Sequence, residues 1–223
     1  MTKKLALTVA TIFIVLRSFA QQDTTKIQRQ NFSSNLKASY NSSIVYPGLR
    51  IGTETMIKRI ELTKTKKQKN KLIFKDRLFT TNLSFYHHPT FHTNTYITAG
   101  YTFRRTREKG FFSEFCPEIG YSRTFLGGTT YEVDNSGTVS IKKLAGYNYA
   151  LVSVGLGVGY DFSKIGVKPI SIFYKFNIIS MLPYNSTFYI RPAMELGVIY
   201  KPKKLLSFNA KTIRKSKTKN NEK

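Results

Sequence analysis

The most regular feature of the chain is an alternation of apolar and polar positions in its last third. From Phe188 to Tyr200 every second side chain is apolar, and the side chains between them include Arg191 and Glu195. Successive side chains of a β-strand point to opposite faces, so the segment predicts a strand with one hydrocarbon face and one polar face. It is long for a soluble strand and suits a tilted strand that crosses a bilayer. The apolar positions are Phe188, Ile190, Pro192, Met194, Leu196, Val198 and Tyr200.

The same alternation recurs along the chain, interrupted by turn-forming or lysine-rich stretches. Counting these segments predicts eight strands, which is the even number that a single-chain bacterial barrel requires. The longest connection between them is the loop 127–143. The predicted strands cover residues 36–46, 49–62, 72–87, 95–103, 111–126, 144–162, 170–181 and 186–200.

Alternation alone does not say which face points outward, because a soluble lipocalin-like barrel would show it with the apolar face inside. The strand lengths favour a membrane barrel, and so does the cost of the reversed register, which would expose Arg191 to lipid at roughly 2–4 kcal/mol. Aromatic residues also collect near the strand ends, at Phe103, Tyr121, Phe125, Tyr160, Phe162, Phe188 and Tyr200. The polar face holds five of the twelve acidic residues, namely Glu54, Glu114, Glu118, Asp161 and Glu195.

The predicted fold class is therefore all-β: an antiparallel up-and-down transmembrane β-barrel of about eight strands. At the N-terminus, Lys3 and Lys4 precede an apolar run that ends in Ser18-Phe19-Ala20. This order is typical of a cleavable signal peptide, and the run is too short to span a bilayer. The predicted organisation is a signal peptide at 1–20, a polar leader at 21–35, the barrel at 36–201 and a basic, disordered tail at 202–223.

Charge and cysteine content narrow the function. The chain has 36 Lys and Arg against 12 Asp and Glu, a formal net charge of +24. Such a balance indicates nucleic acid or an anionic surface as a partner, and export from the cytoplasm argues against nucleic acid. The single cysteine, Cys116, excludes an intramolecular disulfide and any paired-cysteine metal or redox motif.

With these features the chain resembles the small eight-stranded outer-membrane barrels of Gram-negative bacteria. The resemblance rests on the signal peptide at 1–20, the alternating segments between about 49 and 200, and the short turns 104–110 and 163–169. Members of that family commonly end on an aromatic residue of the last strand, a position that Tyr200 holds here before the basic tail. The resemblance implies residence in the bacterial outer membrane, with both termini and the shorter turns in the periplasm.

Successive connections of such a barrel lie at alternate ends, so the charged residues of the connections can be assigned to one end or the other. The turns 63–71, 104–110 and 163–169 share one end with the tail, and they carry most of the cations. This basic collar has two interpretations: a rim that contacts anionic lipid headgroups, or a docking surface for an acidic periplasmic protein or the cell wall. Its members are Lys64, Lys66, Lys67, Lys69, Lys71, Arg104, Arg105 and Arg107.

The polar face predicts a filled interior. An eight-stranded barrel is just wide enough to be filled by side chains, and the glycines at 155, 157 and 159 would leave room for long side chains from other strands. We expect a buried network of charges, since charges at such depth need partners, and no wide aqueous channel. A proton path or a catalytic pair of carboxylates is the alternative for these groups. The predicted members are Glu54, Glu118, Lys175, Arg191 and Glu195.

The candidate catalytic residues in the sequence are its three histidines. His87, His88 and His92 lie at one predicted strand tip on the outer end, where some small outer-membrane barrels modify lipids. A hydrolase would need one of them as base to a hydroxyl such as Ser84 or Thr90, but no nucleophile motif is present. Metal capture by two of the histidines would draw on loop residues rather than on a helical pair. We therefore predict no catalytic residue, metal or cofactor.

The predicted function is a non-enzymatic outer-membrane barrel with a structural or docking role and a basic periplasmic end. Its predicted partners are the outer-membrane lipids and an acidic periplasmic protein or the cell wall. Two alternatives stay open from the residues alone. One is a lipid-modifying enzyme that uses the outer-end histidines, and the other is a narrow solute or proton pore.

Overall fold

The computed structural model describes residues 25–43, 46–66, 69–184, 187–203 and 205–218, so the predicted signal peptide lies outside the described part. The described residues contain twelve strands and one short 3-10 helix at Phe162–Ile165. In chain order the strands are β1 (Thr25–Ser33), β2 (Asn35–Ser42), β3 (Gly48–Lys66), β4 (Lys69–His88), β5 (His92–Arg107), β6 (Phe111–Leu126), β7 (Tyr131–Val133), β8 (Val139–Ile141), β9 (Gly146–Asp161), β10 (Ile170–Tyr184), β11 (Thr187–Tyr200) and β12 (Ser207–Thr218).

Eight of these strands close into a ring. Their order is β2, β3, β4, β5, β6, β9, β10 and β11, each antiparallel to its neighbours. The ring closes where β11 pairs with β2, from Tyr200 opposite Leu36 to Met194 opposite Ser42. The predicted up-and-down barrel of eight strands is therefore confirmed, including its weakest member, the first strand. The short pair β7 and β8 forms a separate hairpin within the longest loop.

The two faces of the wall follow the predicted register. On β11, Met194 and Leu196 are more than half exposed, whereas Arg191 and Glu195 are buried inside the barrel. The same division holds on β9, where Val152, Val154, Leu156 and Val158 point outward. Because a strand alternates its side chains, each barrel strand has one apolar outer face and one inner face. This is the fold of a transmembrane β-barrel. Among the described residues, no helix is long and apolar enough to cross a membrane.

The interior is packed in layers. Near one end an aromatic cluster includes Tyr86, Tyr96 and Tyr149, and near the other end Phe112, Phe173 and Ile199 pack together. Charged side chains lie between these apolar layers. A third buried cluster joins Met56 and Leu78 of the wall to Ala210 of β12, with Phe32 of β1 packed against it.

The principal departure from the sequence prediction is that β1 and β12 extend the barrel sheet at its turn end. β12 runs parallel to the far half of β3, from Lys211 opposite Lys58 to Thr218 opposite Thr65, and β1 pairs antiparallel with β12. We call β1, β12 and residues 58–66 and 69–77 of the β3–β4 hairpin the extension.

The prediction of a disordered tail is therefore wrong for Ser207–Thr218, and the polar leader likewise contains a strand. The predicted turn 63–71 is also too long, since β3 continues to Lys66 and β4 begins at Lys69. The physical reason is backbone pairing: the far half of β3 has an open edge, and β12 satisfies its amide and carbonyl groups there.

The eight ring strands pair with one another without β1 and β12, which gives a testable expectation. A chain that ends after Lys203 lacks β12 but keeps the pairings of all eight ring strands. Refolded in detergent micelles, it should still migrate as a compact band that shifts on boiling. Trypsin should cut within 58–77 much faster than in the full chain, because the hairpin has lost its neighbour. Loss of the compact band would show that β12 is needed for the barrel itself.

Candidate functional site

The best-defined site in the molecule is the set of buried charges inside the barrel, and Glu195 of β11 is the centre of its first group. Its carboxylate lies 3.2 Å from the Lys37 ammonium of β2 and 3.5 Å from the Arg50 guanidinium of β3. Ser39 donates a hydrogen bond of 2.8 Å to it, and Asn177 donates one of 3.1 Å. All five side chains are buried, and each carboxylate oxygen has two of these partners.

Arg50 links this group to a second carboxylate across the barrel. The same guanidinium forms an ion pair with Glu118 of β6 and donates to the Thr98 hydroxyl at 3.1 Å. The Asn82 amide also donates to Glu118, at 3.1 Å. Arg50 thus bridges two acids on distant strands, and side chains from β2, β3, β4, β5, β6, β10 and β11 meet at this level.

A second group lies closer to the turn end. Glu114 of β6 accepts from Arg104 of β5 at 2.7 Å and lies 3.0 Å from the Lys175 ammonium of β10. Arg104 also reaches Glu54 of β3 at 2.8 Å, and its guanidinium stacks 4.7 Å from the centre of the Phe112 ring. Two cations therefore neutralise two acids in the low-dielectric interior, which offsets the cost of burying them.

The structure brings together most of the residues predicted for this network. Glu54, Glu118, Lys175 and Glu195 each form ion pairs, whereas Arg191 forms none among the described residues. Instead, the Arg191 guanidinium lies 3.9 Å from the centre of the Tyr86 ring and 5.7 Å from that of Tyr96, so its neighbours are aromatic faces.

Sequence reasoning missed four members of the network: Lys37, Arg50, Arg104 and Glu114. Arg50 shares its parity with Glu54, and Glu114 shares its parity with Glu118, so the alternation contained the signal for both. Lys37 was hidden by the short first strand. The interior glycines were expected to make room for long side chains, and Gly155 does so for Lys175. A methyl group at Gly155 would collide with the Lys175 and Asn177 side chains.

The assignment of Arg104 to the basic collar is wrong. β5 continues to Arg107, so the predicted turn 104–110 begins later, and alternation turns Arg104 inward and Arg105 outward. Arg105, Arg107 and Lys71 are exposed on the outer surface at the turn end. Of the remaining predicted members, Lys67 and the side chains of Lys64, Lys66 and Lys69 lie outside the described part of the structure.

Charged groups also line a cavity of about 230 Å³ where the extension meets the barrel. Arg59 forms two hydrogen bonds to Asp76, at 2.7 and 2.8 Å, and Lys201 pairs with Asp161. The Lys164 ammonium lies 3.5 Å from the centre of the Phe74 ring. Burial lowers the pKa of Lys164, and the positive charge of Arg59 acts in the same direction. Each of these three cations in the cavity lining therefore has a partner: a carboxylate for Arg59 and Lys201, and an aromatic ring for Lys164.

The three histidines contact neighbouring groups at the outer ends of β4 and β5. His87 is hydrogen-bonded to Thr93 at 2.9 Å, and the Nδ1 atom of His88 accepts from the backbone amides of Thr90 and Phe91. The rings of His88 and His92 stack with their centres 5.6 Å apart. The candidate nucleophile Ser84 is buried, and its hydroxyl has no hydrogen-bond partner among the residues that the structure describes. Within the described ranges, no group of three or more His, Cys, Asp or Glu side chains could hold a metal ion.

The chain is similar to several solved structures, which include the following two. One is the crystal structure of Neisserial surface protein A (NspA), with 14% identity over 78% of this chain and 99% of that chain, at a TM-score of 0.38. The other is the N-terminal β-barrel domain of Pseudomonas aeruginosa OprF, with 11% identity over 80% of this chain and 100% of that chain, at a TM-score of 0.40. No protein-family model matches the sequence. No curated protein matches it either.

Proposed function

We propose that this protein is a non-enzymatic β-barrel of the bacterial outer membrane with a structural or docking role. The observation that carries the proposal is the division between an apolar outer wall and a charge-filled interior. A closed wall with exposed Leu, Ile, Val and Phe side chains on its barrel strands presents far more contiguous apolar surface than a soluble monomer tolerates. Lipid is the solvent that suits such a surface, and a closed barrel leaves no unpaired strand edge within it.

The filled interior supports a structural role over transport. The ion pairs around Glu195 and Glu114 join opposite sides of the barrel at two levels. An aromatic cluster with the stacked Arg191 lies nearer the outer end. An ion that passed through would have to separate several buried ion pairs, and each separation leaves an uncompensated charge. We therefore expect no conducting path.

The extension supports the docking part of the proposal. It projects the hairpin of β3 and β4 beyond the ring and joins both ends of the described chain, β1 and β12, in one sheet. We place this end in the periplasm, where both termini remain after export. Its many cations suit an acidic periplasmic protein or the polyanionic cell wall as a partner.

Gel migration and carbonate washing test the barrel, and recording in planar lipid bilayers tests its closed interior. The folded protein should migrate faster than the boiled protein on a gel and should stay in the membrane fraction after carbonate washing. In planar lipid bilayers it should give no single-channel steps, and Glu118→Gln should not create them. Steps that change with this substitution would replace the structural role with a pore. Altered lipid A species that disappear with His88→Ala would replace it with an enzyme.

A further inference from the structure

The outer wall at the turn end carries cations and aromatic residues in ordered cross-strand rows. In one row, running from β3 to β10, the residues opposite one another are Ile60, Lys75, Arg105, Ser113, Val158 and Tyr174. In the next row toward the middle of the barrel they are Lys58, Arg77, Phe103, Phe115, Leu156 and Phe176. Each row therefore passes from cations on β4 and its neighbours to apolar side chains on β9 and β10.

A small side chain interrupts this surface and creates a groove. Ser113 lies between Arg105 and Val158 in its row, and the larger rings of Phe103 and Phe115 lie in the row beside it. The resulting groove has a volume of about 490 Å³, and Tyr174 also lines it. Its lining is mostly apolar, and its charged residues are Arg105 and Glu114, whose carboxylate pairs with Arg104 inside the barrel.

A second cleft begins at the same arginine. It has a volume of about 680 Å³ and lies at the rim. Arg105, Arg107, Lys71 and Lys109 line it together with Phe111, Tyr160 and one carboxylate, Glu108. The Arg107 guanidinium lies 5.3 Å from the centre of the Phe111 ring. Arg105 lines both hollows, and we call the two together the rim cleft.

Three cations of the rim cleft have no ion-pair partner among the described residues, although Glu108 lies in the same cleft. Within the described part of the chain, no carboxylate lies within ion-pair distance of Arg105, Arg107 or Lys71. The two acids on the hairpin, Glu61 and Asp76, turn to the other face of the sheet and pair with Arg214 and Arg59 there. An unneutralised cationic pocket directly beside a lipid-facing groove fits an amphiphile with an anionic head.

We propose that the rim cleft binds one anionic phospholipid of the periplasmic leaflet. Its phosphodiester would lie between Arg105 and Arg107, whose planar guanidinium groups match phosphate oxygens, with the Lys71 ammonium nearby. One acyl chain would follow the groove over Ser113 between Phe103 and Phe115. The inference rests on the proposed outer-membrane function, because the cleft can meet a phospholipid only if the basic end faces the periplasmic leaflet.

Native mass spectrometry of the full chain in detergent micelles tests the site. The probes are phosphatidylglycerol and, as the zwitterionic comparison, phosphatidylcholine. The Arg105→Gln/Arg107→Gln variant should weaken phosphatidylglycerol binding about 30-fold, as expected when two cations near an anionic head are removed. Lys142→Gln/Lys143→Gln, with the same charge change in the loop at the opposite end, should bind like the unaltered protein.

A third variant separates a built site from general attraction to a basic surface. Ser113→Phe fills the groove without changing any charge, and it should weaken phosphatidylglycerol binding while the gel shift on boiling stays intact. Equal losses in the rim and loop double variants, or no loss in Ser113→Phe, would overturn the site. Preferential binding of lipid A, or full competition by free glycerol phosphate, would overturn the phospholipid assignment.

Gel migration and conductance of the same protein distinguish failure of the lipid site from failure of the proposed function. If the gel shift persists and no conductance appears, failure of lipid binding refutes the cleft and leaves the structural barrel standing. If the unaltered protein shows no gel shift on boiling, the proposed function itself fails.

Discussion

Replacement of Glu195 by Gln should lower the free energy of unfolding of the barrel by about 3–5 kcal/mol. The carboxylate is the shared partner of Lys37 and Arg50, at 3.2 and 3.5 Å, and all three groups are buried. A neutral amide keeps the shape of the side chain and can still accept from Ser39, but it leaves a buried ammonium without its counter-charge. This loss is expected to be among the largest from any single substitution in the protein.

The control is an ion pair with a similar distance that is exposed to solvent. Lys142 and Glu132 lie 3.0 Å apart in the long loop, and their side chains are about half exposed. Glu132→Gln should change the free energy of unfolding by less than about 1 kcal/mol. Urea titration in lipid vesicles, followed by circular dichroism because the chain has no tryptophan, measures both variants. Similar losses in the two would mean that the interior pairs do not hold the barrel together.

Val154→Arg should destabilise the barrel by roughly 2–4 kcal/mol in lipid vesicles, because it places a charge on the lipid face near mid-depth. Val154 points outward in the middle of β9, with Pro117 and Ile178 opposite it on the neighbouring strands. The cost arises from the bilayer rather than from packing within the protein. It should therefore shrink when the same variant is unfolded from detergent micelles.

Ala150→Arg is the matched control for this second prediction. Ala150 lies on the same face of the same strand, four residues nearer the outer end, where the side chain can reach the headgroups. The expected cost there is roughly 0–1 kcal/mol. If both arginines cost the same, the outer wall would not be immersed in a bilayer with its centre near Val154.

The barrel was predictable because its strands have a strong period. On β9 the run from Val152 to Val158 alternates with Ser153 and glycines, and only one register places the apolar side outward. The strand ends were less predictable, since cations such as Arg104 occur both inside the wall and in turns. The inward position of Arg104 follows from its parity with Thr102 and Thr106, which is visible once β5 is known to continue.

The extension escaped prediction for a different reason. In β12, Lys211, Arg214 and Lys215 put charge on both faces of the strand, so no alternation between apolar and polar positions marks it. What fixes β12 is the open edge of β3, a feature of the assembled barrel rather than of the segment. The interior partners were foreseeable only as a set, because residue depth depends on strand stagger, which alternation does not encode.

The pairing of β12 with β3 also sets an order for assembly. The contact between Arg214 and Glu61 joins residues 153 positions apart, and closing so long a loop from an unfolded chain is entropically costly. Once β11 has paired with β2, however, Tyr200 lies two strands away from β3, and only residues 201–206 separate it from β12. The last strand thus becomes a local partner only after the ring has closed. We therefore expect β12 to dock after the ring has closed, and the outer edge of the far half of β3 to stay unpaired until then.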